Sequence, residues 1–242
     1  MKKILITGDW NLRSSQLENR KDDFLIVQEK TIEYIYSLAQ KNDVILFCGG
    51  EMFKQERMDK ELLDLLMKTI NVKTFFAYND KTDGTFSERA ITVSYFWNMF
   101  VGDCNSMYSD IYDFHCLPFH KSFKWEDSPT IKREEMAISI QKYCSLNEVP
   151  MDIEDGIAAE ELLKKVKSRI VVTGNGNNNS FTYKDKKQLL INPGPITRQE
   201  KEQKNNQPKA YLVDVDTLDV SIYLLPDNKS DVFVWLPLRR IK

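Results

Sequence analysis

Histidine is nearly absent from this chain: His115 and His120 are the only two in 242 residues. A metal centre that needs more than two imidazole ligands is therefore excluded. Cysteine is sparse and scattered. Cys48, Cys104, Cys116 and Cys144 form no C-x-x-C pair, which gives zinc-ribbon and thioredoxin-like sites no support. Reduced, mostly buried thiols in a cytosolic protein are the expectation. No apolar run nears the ~20 residues that cross a bilayer. The opening MKKILITGDW turns polar too soon for a signal peptide, so a cytoplasmic location and no membrane partner are expected. The net charge of -2 supplies no global basic field, so a nucleic-acid role would need a local basic patch. The nucleophile elbow, the P-loop and G-x-G-x-x-G are also missing, and no internal repeat is visible.

What is present fits a folded domain. A hydrophobic share of 42% with mixed charge suits a globular protein, and this length buries a sizeable core without disulfides. The expected organisation is one domain over residues 1–228 and a C-terminal tail, 229–242, packed on it. The tail carries Phe233, Trp235 and Leu236. It reads as a final strand, with a partner contact as the alternative.

The pattern alternates strand and helix. Residues 3–7, 43–48 and 72–77 are short apolar runs suited to buried parallel strands. Residues 22–40 place Phe24, Val27, Ile32, Ile35 and Leu38 at helical spacing, with Asp22 or Asp23 to cap the start. Helices are also predicted over 60–67, 88–100 and 158–167. Strands are predicted over 111–117, 170–173, 188–191, 210–215 and 220–225, the last two joined as a hairpin by Asp216 to Asp219. The apolar-free stretch 198–208 reads as a mobile surface loop. Such alternation gives an α/β fold with parallel strands and helices on their faces.

In open α/β sheets function gathers at the carboxyl ends of strands. Four predicted ends carry polar clusters: Asp9 with Asn11, Gly49-Gly50-Glu51, Tyr78-Asn79-Asp80, and Asn175 with Asn177. Each alone is ordinary turn chemistry. His115 and His120 read as a packed strand residue and a surface histidine, with a replacement catalytic or ligand role as the alternative.

As a set, these segments resemble the calcineurin-like metallophosphoesterases, in the phage and SbcD-like exonuclease branch. DWNLRSSQLENRKDDF resembles that branch's D-W-H-L-R and N-R-x-D-D segments. CGGEMF resembles G-G-D-L-F, and FFAYNDKTDG stands where G-N-H-D belongs. IYDFHCLPFH resembles the strand leading to L-P-Y or L-P-F. RIVVTGNGNNN resembles the strand before G-H-x-H, and LLINPGPITRQ resembles L-x-I-N-P-G-S-x-x-R. The resemblance covers most of residues 1–225 and implies a two-sheet sandwich flanked by helices.

Carried across by position, the family's two-metal site would use Asp9, Asn11, Glu51, Asn79, Asn175 and Asn177. Asp9 and Asn79 match the family residue. Glu51 replaces the bridging aspartate, and Asn11, Asn175 and Asn177 replace histidines. Asp80 stands where the catalytic histidine would be, Lys81 where the following aspartate would be, and Ile140 near a further ligand histidine. Amide oxygens are neutral and suit manganese, iron or zinc less well than imidazole does. The resemblance therefore implies a phage or mobile-element phosphoesterase scaffold with a degenerate metal site, no resident cofactor, and a role in binding a protein or DNA. The alternative is an active phosphodiesterase or nuclease that holds Mg or Mn on oxygen ligands, with Asp80 catalytic. Arg13, Arg20, Lys21 and Arg198 are the cations expected to meet a partner. A homodimer stays open, and a family-type C-terminal DNA-capping domain is not expected.

Overall fold

The computed structural model describes residues 3–50, 52–54, 59–69, 74–77, 99–102, 107–109, 112–117, 137–140, 144–145, 156–174, 180–227 and 233. Their order is β1 (Lys3–Thr7), α1 (Phe24–Asn42), β2 (Ile45–Cys48), α2 (Lys60–Thr69), β3 (Thr74–Ala77), β4 (Met99–Gly102), β5 (Met107–Ser109), β6 (Tyr112–Leu117), β7 (Ala137–Ile140), β8 (Cys144–Ser145), β9 (Ile157–Ala158), α3 (Ala159–Lys165), β10 (Ile170–Thr173), β11 (Phe181–Lys184), β12 (Leu189–Asn192), a 3-10 helix (Lys201–Asn205), β13 (Lys209–Asp214) and β14 (Val220–Leu224).

Two six-stranded sheets run β14-β13-β1-β2-β3-β4 and β11-β12-β10-β7-β6-β5. The pairs β1/β2, β2/β3 and β3/β4 are parallel, as are β6/β7, β7/β10 and β10/β12. The edges β13–β14, β11 and β5 are antiparallel.

Strand alternation shows how the layers stack, because successive side chains point to opposite faces. Ile4, Ile6, Phe47, Tyr211 and Val213 of the first sheet share one core with Ile170, Val172, Leu189 and Ile191 of the second. The alternate residues Leu5, Leu46 and Leu212 join Ile32, Ile35 and Leu62 of the helices α1 and α2. On the far side, Val171 and Leu190 pack with Leu162 and Leu163 of α3. The order is helix, sheet, sheet, helix. Strands buried on both faces must be apolar throughout, which is why β1, β10 and β12 read as continuous runs.

The helix α1 starts where the Asp23 carboxylate accepts from the Leu25 and Ile26 amides, and ends at Asp43 in the left-handed region. Burying Phe24, Ile32, Ile35 and Leu38 stabilises the fold by about 1.5–3 kcal/mol each. Its Tyr36 hydroxyl meets the Thr74 Oγ1 of β3 at 3.1 Å.

Two expectations need correction. Met99 and Phe100 open β4 instead of closing a helix; aromatic-rich runs suit a strand as well as a helix, and 88–98 lie outside the described residues. The stretch 198–208 is also no mobile loop. Glu200 and Gln203 form a capping box on the 3-10 helix, and Gln203 is buried. Of the C-terminal tail, Phe233 alone is described; it is buried and pairs with Arg20. Among the described residues no helix is long and apolar enough to cross a membrane.

Candidate functional site

The carboxyl ends of β1, β2 and β10 and the turn after β12 meet at one place. A side chain on Gly8 would strike the Gly194 carbonyl, one on Gly49 would strike the Val172 side chain, and one on Gly50 would strike the Asp9 carboxylate. The Ile196 amide donates to the Asp9 carbonyl at 3.0 Å. Within the turn, Gly194 has φ 69, and its amide donates to the Asn192 Oδ1 at 3.2 Å. These approaches explain the glycines of the GD, CGG and NPGP segments: there is room for backbone only.

The segment Asp9 to Arg13 keeps an in-and-out rhythm. Trp10 and Leu12 are wholly buried in the core beneath the helices. The Trp10 indole donates to the Thr7 Oγ1 at 2.9 Å and stands edge-on to Tyr36. Asp9 is 5% exposed. Asn11 has φ 49, a left-handed conformation that asparagine accepts more readily than most residues. Its Oδ1 is buried and has no hydrogen-bond partner.

Next to this turn, the amide of Gln28 holds both sides of Arg13. It accepts from the Arg13 backbone N–H at 3.0 Å and donates to the Arg13 carbonyl at 2.7 Å. The Leu12 amide donates to the Met52 carbonyl at 2.8 Å, which ties the loop after β1 to the loop after β2. A pocket of ≈ 180 Å³ opens here, lined by Asn11, Arg13, Asn19, Lys54, Gln199 and Glu200 among others. Burial lowers the Arg13 guanidinium from its ordinary value, and the nearby Glu200 charge partly offsets that.

The structure divides the four expected partner cations. Arg13 lines the pocket and Lys21 is exposed. Arg20 and Arg198 are corrected: both guanidinium groups are buried and share Asp227, at 3.0 Å and 3.1 Å. Arg20 also pairs with Asp22 at 2.7 Å, donates to the Arg198 carbonyl, and lies over the Phe24 and Phe233 rings. Burial pulls Arg20 down, yet the hydrogen bonds and charges of Asp22 and Asp227 outweigh it and hold its value raised. Both arginines therefore fasten their loops to the segment that carries Asp227. Lys164 and Lys165 form exposed i,i+4 pairs with Glu160 and Glu161 on α3, a solvated face as the charge pattern suggests.

Of the positions carried over for a metal, Asp9 and Asn11 come together here. Ile140 ends β7 and pairs in register with Thr173, the last residue of β10. Glu51, Asn79, Asp80, Lys81, Asn175, Asn177 and His120 lie outside the described residues. His115 sits on β6. Sequence reading missed Lys54, Gln28 and Asp227. Lys54 had a signal, since it follows the Gly49-Gly50 cluster in the same loop; Gln28 and Asp227 had none.

No family model and no curated protein matches the sequence. Among solved structures, an archaeal phosphodiesterase aligns with 92% of this chain and 99% of its own, at 13% identity and a TM-score of 0.50. Vps29 of Chaetomium thermophilum aligns with 93% of this chain and 96% of its own, at 11% identity and a TM-score of 0.40. At such identities the first likeness speaks for the fold alone. Together with the paired six-stranded sheets and their outer helices, it shows that this chain has the metallophosphoesterase-type two-sheet sandwich.

Proposed function

We propose that this chain is a catalytically degenerate metallophosphoesterase-fold protein that acts by binding a protein or nucleic-acid partner. The observation that carries this reading is Asn11. It adopts a left-handed conformation beside Asp9 and offers a neutral amide oxygen where the resembled family has an imidazole.

The donor set does not fit a dinuclear transition-metal centre. Asp9, Asn11, Glu51, Asn79, Asn175 and Asn177 bring oxygen donors and two carboxylates. Two dications about 3.5–4 Å apart repel strongly and need several anionic ligands between them. Iron and zinc favour the nitrogen that this set lacks.

Calorimetric titration of the metal-stripped protein with Mn²⁺, beside Asp9→Ala, tests this. The expected result is no saturable two-ion binding and no thermal stabilisation. Two ions bound at micromolar affinity, and lost in Asp9→Ala, would overturn it.

One observation favours a second reading. The Asn11 Oδ1 is buried and unpartnered in the same turn as the buried Asp9. A single hard cation such as magnesium accepts such oxygens. That reading, an active phosphodiesterase with Asp80 in the catalytic position, predicts Mg²⁺-dependent cleavage of phosphodiesters that Asp9→Ala abolishes.

A further inference from the structure

Among the described residues, two cations and one acidic residue line the pocket beside Asn11. Arg13 and Lys54 line it, with Glu200 as the acidic residue. The Glu200 carboxylate is already engaged, accepting from the Gln203 amide in the capping box. Neither the Arg13 nor the Lys54 side chain makes a hydrogen bond or ion pair among the described residues. The Arg13 Nε is buried without an acceptor, a state that costs free energy until an acceptor arrives. Other cations of the same region show the contrast: Arg20 and Arg198 each have a carboxylate in contact.

The walls are built. Gln28 fixes the Arg13 backbone on both sides. The Gln199 amide donates to the Asn11 carbonyl at 3.0 Å, and Asn19 donates to the Gln199 carbonyl at 3.3 Å. The Gln203 Oε1 accepts from the Gln199 and Glu200 amides. The Gln28, Asn19 and Gln199 amides are thus spent on holding shape, and the two cations have no side-chain hydrogen-bond acceptor among the described residues. A guanidinium fork beside an ammonium matches a tetrahedral oxyanion, whose oxygens can meet both at once.

We propose that this pocket binds a phosphate group. The assignment rests on the partner-binding reading and gives it a chemical target. A free phosphate, a nucleotide and a nucleic-acid backbone all offer that chemistry.

The test uses the full chain in excess EDTA, which removes any contribution from metal. Inorganic phosphate, adenosine monophosphate and a short single-stranded DNA with and without a 5′ phosphate are titrated in turn by calorimetry and amide NMR. At least one should bind saturably, and which one binds tightest identifies the source. Arg13→Gln should weaken that binding by about tenfold or more, the loss expected for a charge-assisted contact. Lys54→Gln should weaken it less, and because Lys54 is exposed its melting temperature should stay unchanged. No binding by any of the four, or binding equally tight in both variants, would overturn the proposal. The outcome is separate from the Mn²⁺ titration: Arg13-dependent phosphate binding in EDTA would stand even if Asp9 proved to hold metal.

Discussion

The carbonyl of Gly194 fills the space that a side chain on Gly8 would need. Two segments far apart in sequence therefore touch backbone to backbone, and the Asp9–Ile196 hydrogen bond beside them depends on that approach. Gly8→Ala should cost about 2–4 kcal/mol, since backbone and not a flexible side chain must move. Urea denaturation measures it. An unchanged midpoint would mean that the NPGP turn yields freely and that the contact does not position the site.

Asp227 is the shared counterion of two buried arginines. Asp227→Asn would remove the carboxylate that both share, and removing one member of a buried ion pair typically costs about 3–5 kcal/mol. Asp22→Asn should cost less, because that carboxylate is 22% exposed and water can replace part of it. Thermal unfolding of both variants ranks them, and equal melting temperatures would refute the shared role.

Acid should loosen the β13–β14 hairpin. The Asp214 carboxylate accepts from the Thr217 and Asp216 amides at 3.1 Å and 3.0 Å. The Thr217 amide chiefly, with the Asp216 amide, the Thr217 side chain and the Lys3 charge, holds it below its ordinary value against the opposing pull of burial. A carboxyl depressed in the fold adds stability above its unfolded value and loses it as pH falls toward the folded one. Urea midpoints should therefore drop below pH ~4, and Asp214→Asn should flatten that part of the slope. An identical slope in the variant would place the acid sensitivity elsewhere.

Burial pushes the Cys144 thiol up to about 12, so almost no thiolate exists at neutral pH. Iodoacetamide at pH ~8 should leave Cys144 unmodified in the native protein and label it in urea. Mass spectrometry of peptides reads the result. Labelling within minutes in buffer would show that the β8–β9 pair opens readily.

Much of this fold was legible in the sequence because its central strands are covered on both sides. Ile4 to Ile6, Val171 and Leu190 have no polar alternation to hide them. β11 was missed for the opposite reason: at the edge, Phe181 and Tyr183 alternate with exposed Thr182 and Lys184, too short a pattern to stand out. The site was half legible. Asp9, Asn11 and Arg13 sit where the motifs place them, since Trp10 and Leu12 anchor their turn. Arg20 and Arg198 read as cations that would meet a partner, because a charged loop looks the same in sequence whether Arg20 meets water or an aspartate 207 residues away.

That separation also fixes an order of assembly. A ribosome adds roughly 5–20 residues per second, so Arg20 waits on the order of 10–40 s for Asp227 to be made. The strand β1 waits almost as long, because its second neighbour is β13. β1, the first of the described strands, is thus an interior one whose second edge stays unpaired until β13 is made. Pairing of β13, and not formation of β1, is the event that closes the first sheet around that strand.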